Sequence, residues 1–149
     1  MPTHYRGTQA ERRALDAYIK LMRATNSVTT HLERQLAAYD LTENQFGALE
    51  MLYHLGPTQQ GTLSRKLFTT KGNVTALTDR LERLGFITRS RDDQDRRAVT
   101  VSLTDAGRTL VERILPGHVA EIVRLMDALE IEEQVQLGAL CKKLGLSVA

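Results

Sequence analysis

At 149 residues, with 42% hydrophobic and 26% charged residues, the chain has the size and composition of one globular domain, not of a disordered segment. No apolar run approaches the ~18 residues of a membrane-spanning helix, and a single cysteine, Cys141, excludes an intrachain disulfide. Net charge is only +2, but residues 1–56 are neutral, 57–104 carry +4 and 105–149 carry −2, so a surface for a polyanion is expected in the middle third.

The N-terminus, MPTHYRGTQAERR, lacks the apolar block of a secretory signal, which points to a cytoplasmic protein, and the first ten residues read as a loose polar arm. From Glu11 to Tyr39 there is no Pro or Gly, and Leu15, Tyr18, Met22, Thr25, Thr29, Leu32 and Leu36 recur at helical spacing. The helix this predicts, about 40 Å long at ~1.5 Å per residue, is generous for one small globule and suggests sharing with a partner chain. Thr42-Glu43-Asn44-Gln45 has the pattern of a capping box, and Phe46, Leu49, Leu52 and Tyr53 form the apolar stripe of a second helix that ends at Gly56-Pro57.

Two shorter helices are predicted over Gln59–Phe68 and Lys71–Leu84, closed by Gly85. Phe86–Ser90 and Ala98–Leu103 then read as two strands of a hairpin, with four arginines and three aspartates packed into residues 89–97 around its tip. Thr104-Asp105 caps a long helix to about Ala128, with a kink or interruption expected at Pro116-Gly117. A last helix, Glu132–Leu144, is expected to end at Gly145. The predicted order is α-α-α-α-β-β-α-α, mainly α with a small β-hairpin.

The middle of this order has the layout of a winged helix-turn-helix. Ser64 is the small residue that lets the two helices pack, and Val74 and Leu77 are the apolar anchors of the second. The expected exposed face of that helix carries Thr69, Thr70, Lys71, Asn73, Thr75, Thr78 and Arg80, short polar groups and cations suited to phosphate and base-edge contacts near a helix N-terminus. At the hairpin tip, Asp95 and Arg97 stand two apart, so on a strand they would share one face and pair, aiming the guanidinium into a narrow minor groove. Arg91 and Arg96 add candidate phosphate contacts. Without a partner, the same residues would form a polar surface helix and a solvated hairpin tip.

Residues from about 35 to 115 resemble the MarR family of bacterial transcriptional regulators. The resemblance is carried by LTENQFGALEMLYHLGP, by GNVTALTDRLERLGFITR and above all by DDQDRRAVTVSLTDAGR. The last of these matches the family's wing pattern Asp-x-x-Asp-Arg-Arg, continued through the strand into Leu-Thr-x-x-Gly-Arg. It departs at Gln94, where Arg or Glu is common, and Gly61-Thr62 falls where a stronger helix former is usual. The resemblance implies that Asp95 orients Arg97, that the helix around Lys71–Arg80 reads the major groove, and that a homodimer binds a pseudo-palindromic DNA duplex as a repressor. It implies a DNA-binding lobe over 57–104 and helical dimerisation regions over 9–40 and 105–149. It further implies a small aromatic, phenolic or quinone-like effector, for which Met22, Phe46, Met51, Tyr53, His54 and His118 are candidate lining residues.

Four other readings compete with this one. A thiol-redox regulator would use Cys141, although the apolar neighbours Leu137, Leu140 and Leu144 favour an inert cysteine packed in a dimer helix. The four histidines, His4, His31, His54 and His118, show no metal-ligand spacing, so neither metal nor cofactor is expected. A winged-helix protein-interaction module would lack the positive middle third. An enzyme is not expected, because Asp92, Asp93 and Asp95 lie among arginines with no histidine, phosphate loop or nucleophile elbow beside them.

Overall fold

Thr8 opens the first helix. Its Oγ1 accepts the Glu11 N–H at 3.1 Å while Glu11 Oε2 accepts the Thr8 N–H at 2.8 Å, a reciprocal cap that starts α1, Gln9–Leu36. In this computed structural model residues 3–67, 71–95 and 97–148 are described, without the side chain of Lys71. The helix therefore begins earlier than the apolar periodicity indicated. The arm before it is tied down as well, since the Thr3 N–H donates to Asp16 Oδ1 at 2.7 Å. A short 3₁₀ turn over Ala37–Tyr39 ends in Asp40, the non-glycine residue with positive φ (56°) among those described. The Thr42–Gln45 box then caps α2, Glu43–Leu55, with bonds of 3.2 and 3.0 Å, and Gly56 at φ 77° closes it.

A strand not predicted from the sequence follows. β1 is only Thr58–Gln59, and it is set by its partner: Thr58 pairs with Val101 and Gln59 with Thr100. Two residues carry no alternation to read. α3, Gln60–Lys66, and α4, Lys71–Arg83, come next. The α4 C-terminus is closed by Gly85 at φ 82°, with Phe86 N–H bonded to the Leu81 carbonyl and Gly85 N–H to that of Glu82 (both 3.0 Å). β2, Ile87–Arg91, and β3, Val99–Leu103, form the hairpin, and the antiparallel sheet has the order β1-β3-β2.

α5 covers Asp105–Met126 and contains Pro116 within one helical segment, so the expected interruption is not observed. Pro116 withholds an N–H from the Glu112 carbonyl, but Glu112 is exposed, where water can satisfy it. The start of α5 needs Gly107: a Cβ there would lie 2.2 Å from the Phe86 carbonyl oxygen. α6 covers Ile131–Val148, so Gly145 lies inside this helix and does not end it.

The chain divides into two compact units, Met1–Leu115 and Pro116–Ala149. The core of the first joins α1, α2, α3, α4, the sheet and early α5 through Leu36, Phe46, Leu49, Leu52, Leu63, Val74, Leu81, Ile87, Val101 and Val111. In the second, Gln134 Nε2 donates to the carbonyls of Met126 (3.0 Å) and Leu129 (3.1 Å), closing the α5 end against the start of α6. No helix among the described residues is long and apolar enough to cross a membrane.

Candidate nucleic-acid interface

α3 and α4 pack through Leu63 and Ser64 against Val74 and Leu77, with Leu81 below, all buried. Ser64 is small enough for the close approach, as its place in the sequence suggested. This leaves Asn73 and Thr75 exposed near the N-terminus of α4. Gln60 Nε2 of α3 donates to Thr75 Oγ1 at 3.2 Å, which holds the hydroxyl in place. Thr69, Thr70, Arg96 and the Lys71 side chain lie outside the described residues.

Two residues assigned to that exposed face belong elsewhere. Thr78 is 0% exposed. Its hydroxyl bonds the Val74 carbonyl at 2.8 Å and lies 3.4 Å from Gln60 Oε1. It is a polar residue in the core whose hydroxyl is satisfied locally, and burial is tolerated for that reason. Arg80 reaches back to the α1–α2 connection, where its Nη2 lies 2.8 Å from Asp40 Oδ2 and 3.3 Å from the Asp40 carbonyl.

At the wing, the registry Arg89↔Val101 and Arg91↔Val99 carries the hairpin out to a tip over residues 92–98. Asp95 and Arg97 lie in that tip and not on a strand, so period-two reasoning does not apply to them. Asp95 Oδ1 accepts the backbone N–H of Arg97 at 3.0 Å, and the Asp95 carbonyl accepts the Ala98 N–H at 3.0 Å. Asp92 repeats the device: its Oδ1 accepts the Gln94 N–H at 2.9 Å, and its N–H donates to the Ala98 carbonyl at 3.1 Å. Two of the three crowded aspartates thus build side-chain turns that bend the backbone. The expected Asp95–Arg97 ion pair is replaced by a bond to the Arg97 backbone.

The tip and the helix pair border one cleft of about 440 Å³. Gln60, Gly61 and Ser64 of α3 line it, with Val74 and Thr75 of α4 and Asp95, Arg97 and Val99 of the wing. The structure therefore places Thr75 and Arg97 on one concave surface. Arg91 is exposed on the last residue of β2.

Sequence reasoning did not single out Arg89 or Gln60. Arg89 bonds Asp79 Oδ1 (2.6 Å), Glu82 Oε1 (3.1 Å) and Thr78 Oγ1 (3.3 Å), all on α4. Its hydrogen bond holds the Glu82 carboxyl below the usual carboxylate range, and the same bond raises the Arg89 pKa. The available signal was Asp79 and Glu82 three apart on one helix, facing an arginine in the next strand.

Of the six candidate effector residues, Met51 and His54 come together. They line a second cleft of about 530 Å³ with Gly47, Glu50, Leu55, Lys66 and Leu67. Phe46 does not line it, because at 1% exposed it is part of the core. Tyr53 packs instead against α5, its ring 5.3 Å from the Arg108 guanidinium. Met22 is exposed on α1, and His118 is buried on α5 in the second compact unit. Cys141, expected to pack in a dimer helix, is exposed on α6 in the single chain, where no partner covers that face.

Residues 41–99 match the MarR family. The chain is 37% identical over 134 residues to YkoM, an HTH-type transcriptional regulator of Bacillus subtilis, covering 90% of this chain and 87% of YkoM. It resembles the MepR–DNA complex of S. aureus with a TM-score of 0.79 and 29% identity, over 89% of this chain and 98% of that one. It also resembles Bordetella bronchiseptica BpsR, whose DNA binding is regulated by 6-hydroxynicotinic acid, with a TM-score of 0.79 and 26% identity over 87% and 98% of the two chains. With the helix pair, wing and sheet already in place, these likenesses show that the chain belongs to the MarR family and is a transcriptional regulator of that type.

Proposed function

We propose that the chain is a cytoplasmic homodimeric repressor that binds a pseudo-palindromic DNA duplex and is released by a small aromatic, phenolic or quinone-like effector. The observation that carries the DNA-binding part is the shared concave surface of Thr75 and Arg97 within the segment of positive charge. In this reading Thr69, Thr70, Lys71, Asn73 and Thr75 meet phosphates and base edges in the major groove. Arg97 enters the adjacent minor groove, and Arg91 and Arg96 meet phosphates. Thr78 and Arg80 are left out, one for its burial and the other for its bond to Asp40.

The dimer is supported by α6, which has no buried residue in the single chain yet exposes Val135, Leu140, Leu144 and Val148. Two recognition helices about 34 Å apart would then face successive major grooves. For the effector, the apolar floor of the Met51–His54 cleft, with the Lys66 ammonium and the His54 imidazole as polar groups, suits a small planar acid or phenol. The regulation of BpsR by 6-hydroxynicotinic acid is consistent with such a compound. An effector can release DNA only if it binds one dimer geometry better than the other.

The test is to select duplexes from a random-sequence library with the purified protein, with and without aromatic acids, phenols and quinones. A retained pseudo-palindrome that one compound class releases is the expected result. Arg97→Ala should weaken binding to that duplex and lower the salt slope by about one. Retention of no preferred sequence would reject the reading.

A further inference from the structure

Arg89 sits at the base of the wing, on the strand that leads to the charged tip. Directly across the sheet is Val101, which is fully buried, so the Arg89 side chain lies on the core-facing side of the hairpin. Its side chain is 22% exposed. There its Nη2 meets Asp79 and Glu82 while Nη1 donates to Thr78 Oγ1. Its backbone N–H also donates to Glu82, at Oε2, at 3.0 Å. Through Thr78 the chain of polar groups continues to Gln60 of α3, and from Gln60 to Thr75 on the exposed face of α4.

An isolated surface ion pair would add little. This arrangement differs in kind: one planar guanidinium bridges two acids and a buried hydroxyl of a single helix, from a strand of another element. It also decides what Arg89 does not do. One cation between two carboxylates leaves the cluster net negative, and such a cluster repels a phosphate. An arginine in the most basic segment of the chain is thereby withdrawn from the polyanion surface.

We propose that Arg89 is a positioning residue, clamping the wing to α4 so that Arg97 stands at a fixed place relative to Asn73 and Thr75 without itself touching nucleic acid. This rests on the DNA-reading assignment above. The clamp fixes the hairpin base, and the side-chain turns of Asp92 and Asp95 fix the tip; together they set the Arg97 backbone. Lysine cannot replace the arginine, since its ammonium lacks the planar fork that engages two acids and a hydroxyl together.

The experiment is a double-mutant cycle between Arg89→Met and Arg97→Ala, titrating the full-length protein against the duplex recovered by selection at several salt concentrations. Arg89→Met alone should lower affinity about tenfold and flatten the salt slope by about one, as Arg97→Ala does. In the Arg97→Ala background it should add less than about twofold, because the contact it positions is already gone. Arg89→Lys should restore little. An undiminished tenfold loss in the Arg97→Ala background would overturn the proposal, as it would indicate a direct DNA contact or general destabilisation. Wild-type affinity and slope for Arg97→Ala would reject the wing assignment itself, and the clamp with it. Should Arg89→Met fail to give a cooperative melting transition, Asp79→Asn combined with Glu82→Gln loosens the same clamp and is read by the same cycle.

Discussion

Arg80 on α4 holds Asp40 across the α1–α2 connection, Nη2 to Oδ2 at 2.8 Å, with Asp40 in the left-handed region at φ 56°. The long first helix turns into α2 at this residue, so the bond ties the turn to the candidate reading helix. Arg80 is 38% and Asp40 88% exposed at the side chain, and solvent therefore screens the pair. A double-mutant cycle of Arg80→Ala and Asp40→Ala, followed by urea unfolding, should give a coupling of about 0.2–1 kcal/mol. The salt slope of DNA binding should not change in Arg80→Ala. A slope lowered by about one would return Arg80 to the phosphate contacts.

Asp95 offers a sharper distinction, because its bond is to the Arg97 backbone N–H and not to the guanidinium. The neutral amide oxygen of asparagine can accept the same bond, although more weakly than a carboxylate oxygen. Asp95→Asn should therefore keep DNA affinity near the wild-type value, whereas Asp95→Ala should lose about as much as Arg97→Ala. Equal losses in Asn and Ala variants, measured on one selected duplex, would favour a charge-based role for Asp95 instead.

Local rules were legible in the sequence wherever a residue acts on its own neighbours. Thr42 and Gln45 cap each other, Gly85 supplies the left-handed turn after α4, and Val74 and Leu77 fill the core, each as its type and spacing predict. What escaped depends on distant partners. Thr78 reads as polar surface, but α3 and β2 bring Gln60 and Arg89 to its hydroxyl, which also bonds the Val74 carbonyl of its own helix. β1 exists because β3 offers it a partner. The wing motif is visible as a pattern, but its wiring is not, because a tight turn, not a strand, holds Asp95.

Acidity should act on the wing through Glu82. Its carboxyl titrates below the ordinary value of 4.5, first because of the Arg89 hydrogen bond. Since the folded pKa is the lower one, this contribution to stability is present above the unfolded value and lost as pH falls through the folded value. Glu82→Gln should therefore flatten the acid limb of the stability profile between those two values, leaving the profile at neutral pH parallel to wild type. Thermal melting across that range checks it; an unaltered acid limb would mean that the ion pair does not form in solution. DNA affinity should decline over the same window in the wild type, if Arg89 positions the wing.

The apolar side of α6 gives the most direct test of the dimer. Leu137, Leu140, Cys141 and Leu144 recur at three- and four-residue steps, so they share one helical face, and Leu140 and Leu144 remain 56% and 52% exposed in the single chain. Fully burying a leucine is worth about 1.5–3 kcal/mol, so a partner covering several of these would gain enough to pair stably. Placing two ammonium groups there removes that gain and adds repulsion across a two-fold axis. Leu140→Lys with Leu144→Lys should accordingly sediment as a monomer with its helical content retained. It should also lose most of its affinity for a duplex with two half-sites, while a single half-site is bound about as weakly as by wild type. Cys141 supplies an internal check, since pairing of this face should slow its alkylation in the wild type and not in the double variant. A dimer that survives both lysines would place the interface elsewhere on the chain.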